Sequence, residues 1–278
     1  MKSLVKLGLA LSLLGGTVVG QTLIQTAPAV ALSETDALKR LEAVPVFAVT
    51  NKDGIPILAS ISNPKDKTKQ VQIATFFMNP QDAQSLVTAL KTQKPDVGNS
   101  ARVVSLSMRQ AYDIKSKNKD KAESLVFEFL PSKQQSDAAV AILKQNGQDI
   151  KQFNDIALFY STGGKDKGLL TIEQGKNKVI PFYFNKQDLQ GMLDQLKQKD
   201  PKLSSTIKIE VTSLSKVFDS LLKENSAGIQ QITLVPDRGA LQFALEQQKG
   251  AGGTTATPGK PAAAPAPQAK PIAPTKAK

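Results

Sequence analysis

The chain has 278 residues, a formal charge of +12, and neither cysteine nor histidine. Disulfides are therefore excluded, and zinc centres, Ser-His-Asp triads and cysteine nucleophiles each lose a required member. The charge is concentrated at the ends: Lys2, Lys6 and the five lysines from Lys249 onward are seven of the 36 basic residues, which leaves 29 against 24 acids between them.

Lys2 and Lys6 precede an apolar run from Leu7 to Val19, and Ala29-Val30-Ala31 supplies a small-x-small cleavage signal. This order predicts a secretory signal peptide over residues 1–31, with the mature chain starting near Leu32. The apolar run falls short of the ~20 residues that span hydrocarbon, and Gln21, Thr22 and Gln25 interrupt it. No later segment is apolar enough to cross a bilayer, so no integral membrane insertion is expected after signal removal.

Ser33 is placed to cap a leading amphipathic helix carrying Ala37, Leu38 and Leu41. A strand follows through Val44, Val46 and Ala48, then a turn at Asn51-Lys52-Asp53-Gly54 and a second strand through Ile57. The apolar strand Ile73–Met78 leads into a helix whose start is well marked. Asn79 suits the cap, Pro80 the first helical position, and Asp82 the positive end of the helix. Leu86, Val87 and Leu90 form its buried stripe, and Pro95 follows its end. A strand near Val103 then leads to a short helix headed by Ser107, with Met108, Ala111 and Tyr112 on its apolar face. Lys115, Lys117, Lys119 and Lys121 lie in a run without aromatics and read as a solvated loop. Without a clustered basic patch of the kind nucleic acid favours, often with interleaved aromatics, no nucleic-acid partner is expected. Strand Leu125–Leu130 ends at Pro131, before a helix over Ala138–Leu143.

The same order then recurs. Ile73–Ile114 shifted by 106 positions falls on Val179–Ser220 without a gap, matching Phe76, Asn79, Asp82, Pro95 and Ser107 with Phe182, Asn185, Asp188, Pro201 and Ser213. The second copy opens with a strand through Ile156, Leu158 and Tyr160 and a turn at Thr162-Gly163-Gly164. Its helix carries Leu189, Met192, Leu193 and Leu196, and it closes on a strand over Ile229–Val235 and a helix over Leu241–Leu245. An ungapped register of this length indicates an internal duplication. The fold class expected is α+β, with two pseudo-symmetric α/β repeats, each a small sheet with packed helices. The first repeat, with its leading helix, spans 32–150 and the second 151–248. Residues 249–278 are a Pro/Ala/Lys-rich tail that cannot offset its ordering entropy and is expected to be disordered.

Little chemistry remains open. Asp82 and Asp188 are explained as first-turn charges, Gly163-Gly164 is too short to cradle phosphates, and metal-loop motifs are absent, so neither catalysis nor a cofactor is expected. The aromatic strands are the remaining candidates. Phe47, Phe76, Met78, Phe129, Phe182, Phe184 and Met192 either fill a core covered on both faces or line an open apolar groove for a client chain.

The blocks Val44-Pro45-Val46-Phe47-Ala48-Val49-Thr50, Phe76-Phe77-Met78-Asn79-Pro80-Gln81-Asp82-Ala83 and Pro181-Phe182-Tyr183-Phe184-Asn185-Lys186-Gln187-Asp188-Leu189, with the ending at Pro236, carry a resemblance over residues 34 to 248. The chain resembles the Tic22-like family, the soluble component of the chloroplast inner-envelope translocon and its cyanobacterial relatives. That resemblance implies a pseudo-two-fold molecule with an apolar groove on each side. It further implies residence in the periplasm, or in the thylakoid lumen or chloroplast intermembrane space. Its expected role is chaperone-like carriage of unfolded outer-membrane precursors in protein transport and envelope biogenesis. The alternative role is a structural adaptor linking translocon or envelope complexes, with translocon components as partners.

Overall fold

Phe47 and Phe159 occupy the same rung of two separate sheets: Phe47 pairs with Phe77 in one, Phe159 with Tyr183 in the other. The computed structural model describes residues 11–13, 32–63, 66–121, 124–164, 167–174, 177–199, 206–224 and 226–250. Most of the leader and residues 251–278 of the tail lie outside them, and so does Pro201.

The first sheet contains β2 (Pro45–Thr50), β3 (Ala59–Ser62), β4 (Gln70–Phe77), β5 (Arg102–Ser107) and β6 (Leu125–Leu130). The second contains β7 (Ala157–Gly163), β8 (Gly168–Gln174), β9 (Asn177–Tyr183), β10 (Lys208–Ser213) and β11 (Ile232–Val235). In the first, β4 pairs parallel with β6 and antiparallel with β3 and β2, and β5 closes antiparallel on β2. In the second, β9 pairs parallel with β11 and antiparallel with β8 and β7, and β10 closes antiparallel on β7. The mixture of helices with two mixed sheets is the expected α+β class. Inside the leader segment, Leu11–Leu13 form β1, which adds antiparallel to β8.

Strand alternation divides the core into three. The inner faces share one cluster, with Val46, Ala48 and Phe76 from the first sheet and Leu158, Ile180 and Phe182 from the second. Two short helices complete it: α4 (Met108–Lys117) buries Met108 and Ala111, and α7 (Leu214–Lys223) buries Leu214, Val217 and Leu221. Ser107 and Ser213 cap them through the amides of Gln110 and Lys216, as their positions before an apolar run predict.

The outer faces are covered separately. On the first sheet lies α2 (Pro80–Gln93), capped by Asn79, followed by the single turn α3 (Pro95–Gly98). On the second lies α6 (Lys186–Lys199), whose Leu189, Met192, Leu193 and Leu196 are all buried. Each half then lends its closing helix to the other. Helix α5 (Lys133–Gln145), which follows β6, packs on β7 and β10 of the second sheet through Ala139 and Ile142. Helix α9 (Arg238–Gly250), which follows β11, packs on β2 and β5 of the first through Ala240 and Ala244.

Several boundaries differ from the sequence reading. Ile57 lies before β3, in a segment joined to β2 by the Ile57 amide on the Val49 carbonyl and by the isolated Thr50–Pro56 bridge. Lys115 and Lys117 belong to the last turn of α4, where positive charge suits the carbonyl end, and Lys119–Lys121 form a 3₁₀ turn. Ile229 sits in a single helical turn, α8 (Ala227–Gln230), capped by Ser226, so β11 starts three residues later. Lys249 and Gly250 complete α9 instead of opening the tail. The leading helix α1 (Glu34–Lys39), capped by Ser33 as expected, packs on α7 of the second half. There the Leu32 amide donates to the Leu221 carbonyl, and the Arg40 guanidinium donates to the carbonyls of Gln230 and Ile232.

Candidate functional site

The seven sequence candidates do not line one surface. Phe76, Met78, Phe182 and Phe184 are buried in the central cluster, where Phe182 stacks on Tyr160 at 4.9 Å. Phe47 is fully buried under α9, with Phe243 edge-on at 5.5 Å. Met192 is buried on the sheet-facing side of α6. Phe129 is half-buried at the margin of the central cluster, between Phe76 at 5.3 Å and Tyr112 at 5.1 Å. Tyr112 continues the stack to Phe218 of α7 at 6.2 Å. Burial pushes the Tyr112 phenol above its ordinary pKa, and the nearby Asp155 adds to the shift.

Two of the seven do meet at a cavity. Met78 and Phe184 come together where the two sheets abut, in a space of about 200 Å³ also lined by Val44, Pro45, Pro131 and Asp237. Polar groups share this lining. Asn79 and Gln81 enter from the start of α2, and Gln135 from α5. The Gln135 side chain is already committed, since it accepts from the Lys186 amide and donates to the Gln187 side chain.

A second, more apolar cavity of about 400 Å³ opens on the outer face of the first sheet. Val49 and Phe77 form its floor, Leu86 and Leu90 of α2 one wall, and Ile57, Leu58, Ala59 and Ser60 the opposite wall. Val97 of α3 closes one end, and Lys94 is the charged residue of the lining. Leu58 and Val97 are exposed despite their apolar side chains, with Ile55 and Ile61 exposed nearby in the chain. The corresponding place in the second sheet is filled. Leu170 is buried there with Met192, Leu193 and Leu196.

The cavity keeps its shape because α3 is pressed against α2. A Cβ at Gly98 would meet backbone atoms of Leu90 and Lys91 at 2.3 Å, so only glycine permits this approach. Sequence reasoning found Leu86 and Leu90 as a helix stripe but missed Ile57, Leu58 and Val97. The available signal was the apolar run Ile55-Pro56-Ile57-Leu58, whose proline lacks a ladder donor and marks it as an edge segment.

Asp82 and Asp188, at matching helix positions, have different surroundings. Burial raises the pKa of the Asp82 carboxyl. Asp188 accepts from the Arg238 amide at 2.8 Å, with the Arg238 guanidinium 3.8 Å away, and so ties the start of α9 to α6. Among the described residues there is no cluster of three acidic side chains able to hold a metal, and no helix is long and apolar enough to cross a membrane.

The Tic22-like family model matches residues 2–246, almost the whole chain. The chain belongs to the Tic22-like family. Among its relatives, this Tic22-like chain is 25% identical over 226 residues to the chloroplastic protein TIC 22 of Pisum sativum, covering 80% of this chain and 81% of the pea protein. The solved Tic22 of Anabaena, a protein of protein transport, matches with a TM-score of 0.66 at 27% identity, over 77% of this chain and 97% of that one. Tic22 from Plasmodium falciparum shares the fold, with a TM-score of 0.60 at 17% identity over 77% and 98% of the two chains.

Proposed function

We propose that this chain is an exported carrier in protein transport, resident in the periplasm, which shields unfolded outer-membrane precursors during envelope biogenesis. The single observation that carries the reading is the apolar cavity between α2, α3 and β3, with Leu58 and Val97 left exposed at its mouth. Burial of apolar client side chains there supplies the driving force without a nucleotide. Of the seven aromatic and methionine positions, Phe47 lies closest to this cavity, beside Phe77 of its floor as that residue's cross-strand partner on the same outer face. The protein-transport role of the Anabaena Tic22 supports a client that is itself a polypeptide. Residues 1–31 are its signal peptide. The two sheets descend from one duplicated unit, a reading supported by their matching strand order and by the sequence register.

The test is suppression of aggregation of an unfolded outer-membrane barrel diluted from denaturant. The unaltered chain keeps the barrel soluble. Leu58→Glu and Val97→Glu, both at exposed positions, keep the melting temperature and lose the protection. Full protection by both variants would remove the cavity from the account.

A further inference from the structure

Strand β3 is an edge with a regular array of unused backbone groups. The Asn63 amide donates to the Lys69 carbonyl at 2.9 Å, and antiparallel pairs alternate between bonded and unbonded rungs. Ala59 and Ile61 therefore bond to β4 opposite Ile73 and Val71, while Ser60 and Ser62 stand opposite Gln72 and Gln70 in unbonded rungs. The Gln72 amide is accordingly turned the other way and donates to the Ser124 carbonyl, next to β6, at 2.8 Å. The amides and carbonyls of Ser60 and Ser62 thus point out of the sheet.

Edges are normally guarded by charge, proline, bulges or a covering element. The β5 edge is covered: Gln247 of α9 donates to the Val103 carbonyl and accepts from the Ser105 amide, both at 2.9 Å. Strand β6 carries the exposed charge of Glu128. Within Ala59–Ser62 there is neither charge nor proline, all four residues are exposed, and no described residue pairs with the outer side. The matching edge of the second sheet shows what such an edge accepts. There Leu11–Leu13 of the leader add to β8 in antiparallel register, Leu11 against Ile172 and Leu13 against Leu170.

We propose that β3 captures its client by strand addition: an extended segment of an unfolded polypeptide pairs with the outward groups of Ser60 and Ser62. Every second side chain of the added strand falls on the face that carries Ala59, Ile61 and the cavity mouth. The segment recognised therefore alternates apolar and polar residues, as a strand of a membrane barrel does. This rests on the carrier reading and adds its geometry.

The test uses a nine-residue alternating peptide from a barrel strand and two backbone N-methylated versions, binding the full chain in fluorescence anisotropy. One version blocks the amides on one edge of the peptide, the other those on the opposite edge. Exactly one edge is expected to matter, with at least about tenfold weaker binding when two hydrogen bonds are lost. Ser60→Pro, which removes an outward amide and spares the ladder, reproduces that loss at an unchanged melting temperature. Because the chain has no cysteine, Ser62→Cys reports the location through a disulfide to a cysteine-bearing peptide. Equal binding of all three peptides overturns strand addition and leaves the carrier reading intact. No binding by any peptide overturns both. Self-association that Ser60→Pro dissolves, without peptide binding, gives the edge to a second copy and also overturns the proposal.

Discussion

Asn185 and Asp237 cap two helices and hold each other. The Asn185 side-chain oxygen accepts from the Gln187 amide at 2.8 Å at the start of α6, and its amide nitrogen donates to the Asp237 carboxylate. Asp237 in turn accepts from the Ala240 amide at 2.7 Å at the start of α9. Asn79, at the matching position in the first half, accepts from the Gln81 amide and caps α2. Ser132, which precedes α5, makes no side-chain cap bond. Asn79→Ala is therefore expected to cost about 1 kcal/mol, the ordinary value of a cap. Asn185→Ala is expected to cost about 2 kcal/mol, because the Asp237 partner is lost as well. Denaturant melts of the two variants check the order, and equal midpoints would contradict the linked-cap account.

Helix α9 is the lid over the outer face of the first sheet. Phe243 meets Phe47 edge-on, and Gln247 satisfies the β5 edge. Truncation before Arg238 is expected to expose Phe47, Val49 and Phe77 and to unfold the protein or leave it binding a hydrophobic dye. Removal of residues 251–278 is expected to leave the melting temperature unchanged, since that composition cannot join a core. Thermal melts of both truncations decide between these outcomes, and a large drop for the shorter deletion would contradict the second.

Gly98→Ala tests how the cavity is held. The added methyl group must push α3 away from the backbone of α2, at a cost of about 1–3 kcal/mol typical of overpacking. Client protection is expected to fall at temperatures where the variant is still folded, because Val97 moves with α3. Full protection would show that the end wall is dispensable.

Alkaline pH should destabilise the protein through buried phenols. Burial raises the pKa of Tyr112 and of Tyr183, with secondary contributions from Asp155 and Asp188 respectively. A folded pKa above the unfolded value of about 10 gives stability that is complete below that pH and lost as pH rises through the folded value. Denaturant melts between about pH 9 and about pH 11 are expected to show this fall. Tyr112→Phe, which keeps the stack on Phe129 and Phe218, is expected to reduce the fall, leaving the share of Tyr183. An unchanged slope would remove Tyr112 from the cause.

Local signals made much of the fold legible in sequence. Asn79 before Pro80, Ser107 before Met108 and Ser33 before the leading helix are caps because each supplies a side-chain oxygen within reach of free amides. The exchange of α5 and α9 left no such signal. Ala139 and Ile142 in one helix, and Ala240 and Ala244 in the other, make apolar stripes that suit either sheet, and only the connections decide which is covered. The aromatic strands concealed the site for a related reason. Phe76 and Phe77 point to opposite faces, and sequence alone does not reveal that the helices leave one corner of the outer face open near Leu58.

Site-specific photocrosslinking tests the central claim most directly. A photoreactive residue placed at Leu58, at Val97 and, as a control outside the cavity lining, at Ile114 of α4 would each be exposed to solvent. With an unfolded outer-membrane barrel added, the account predicts crosslinks to several segments of the barrel from Leu58 and Val97 and none from Ile114. Crosslinks from all three positions, or to a single folded partner in an envelope extract and never to the unfolded barrel, would contradict it and leave the adaptor role in its place.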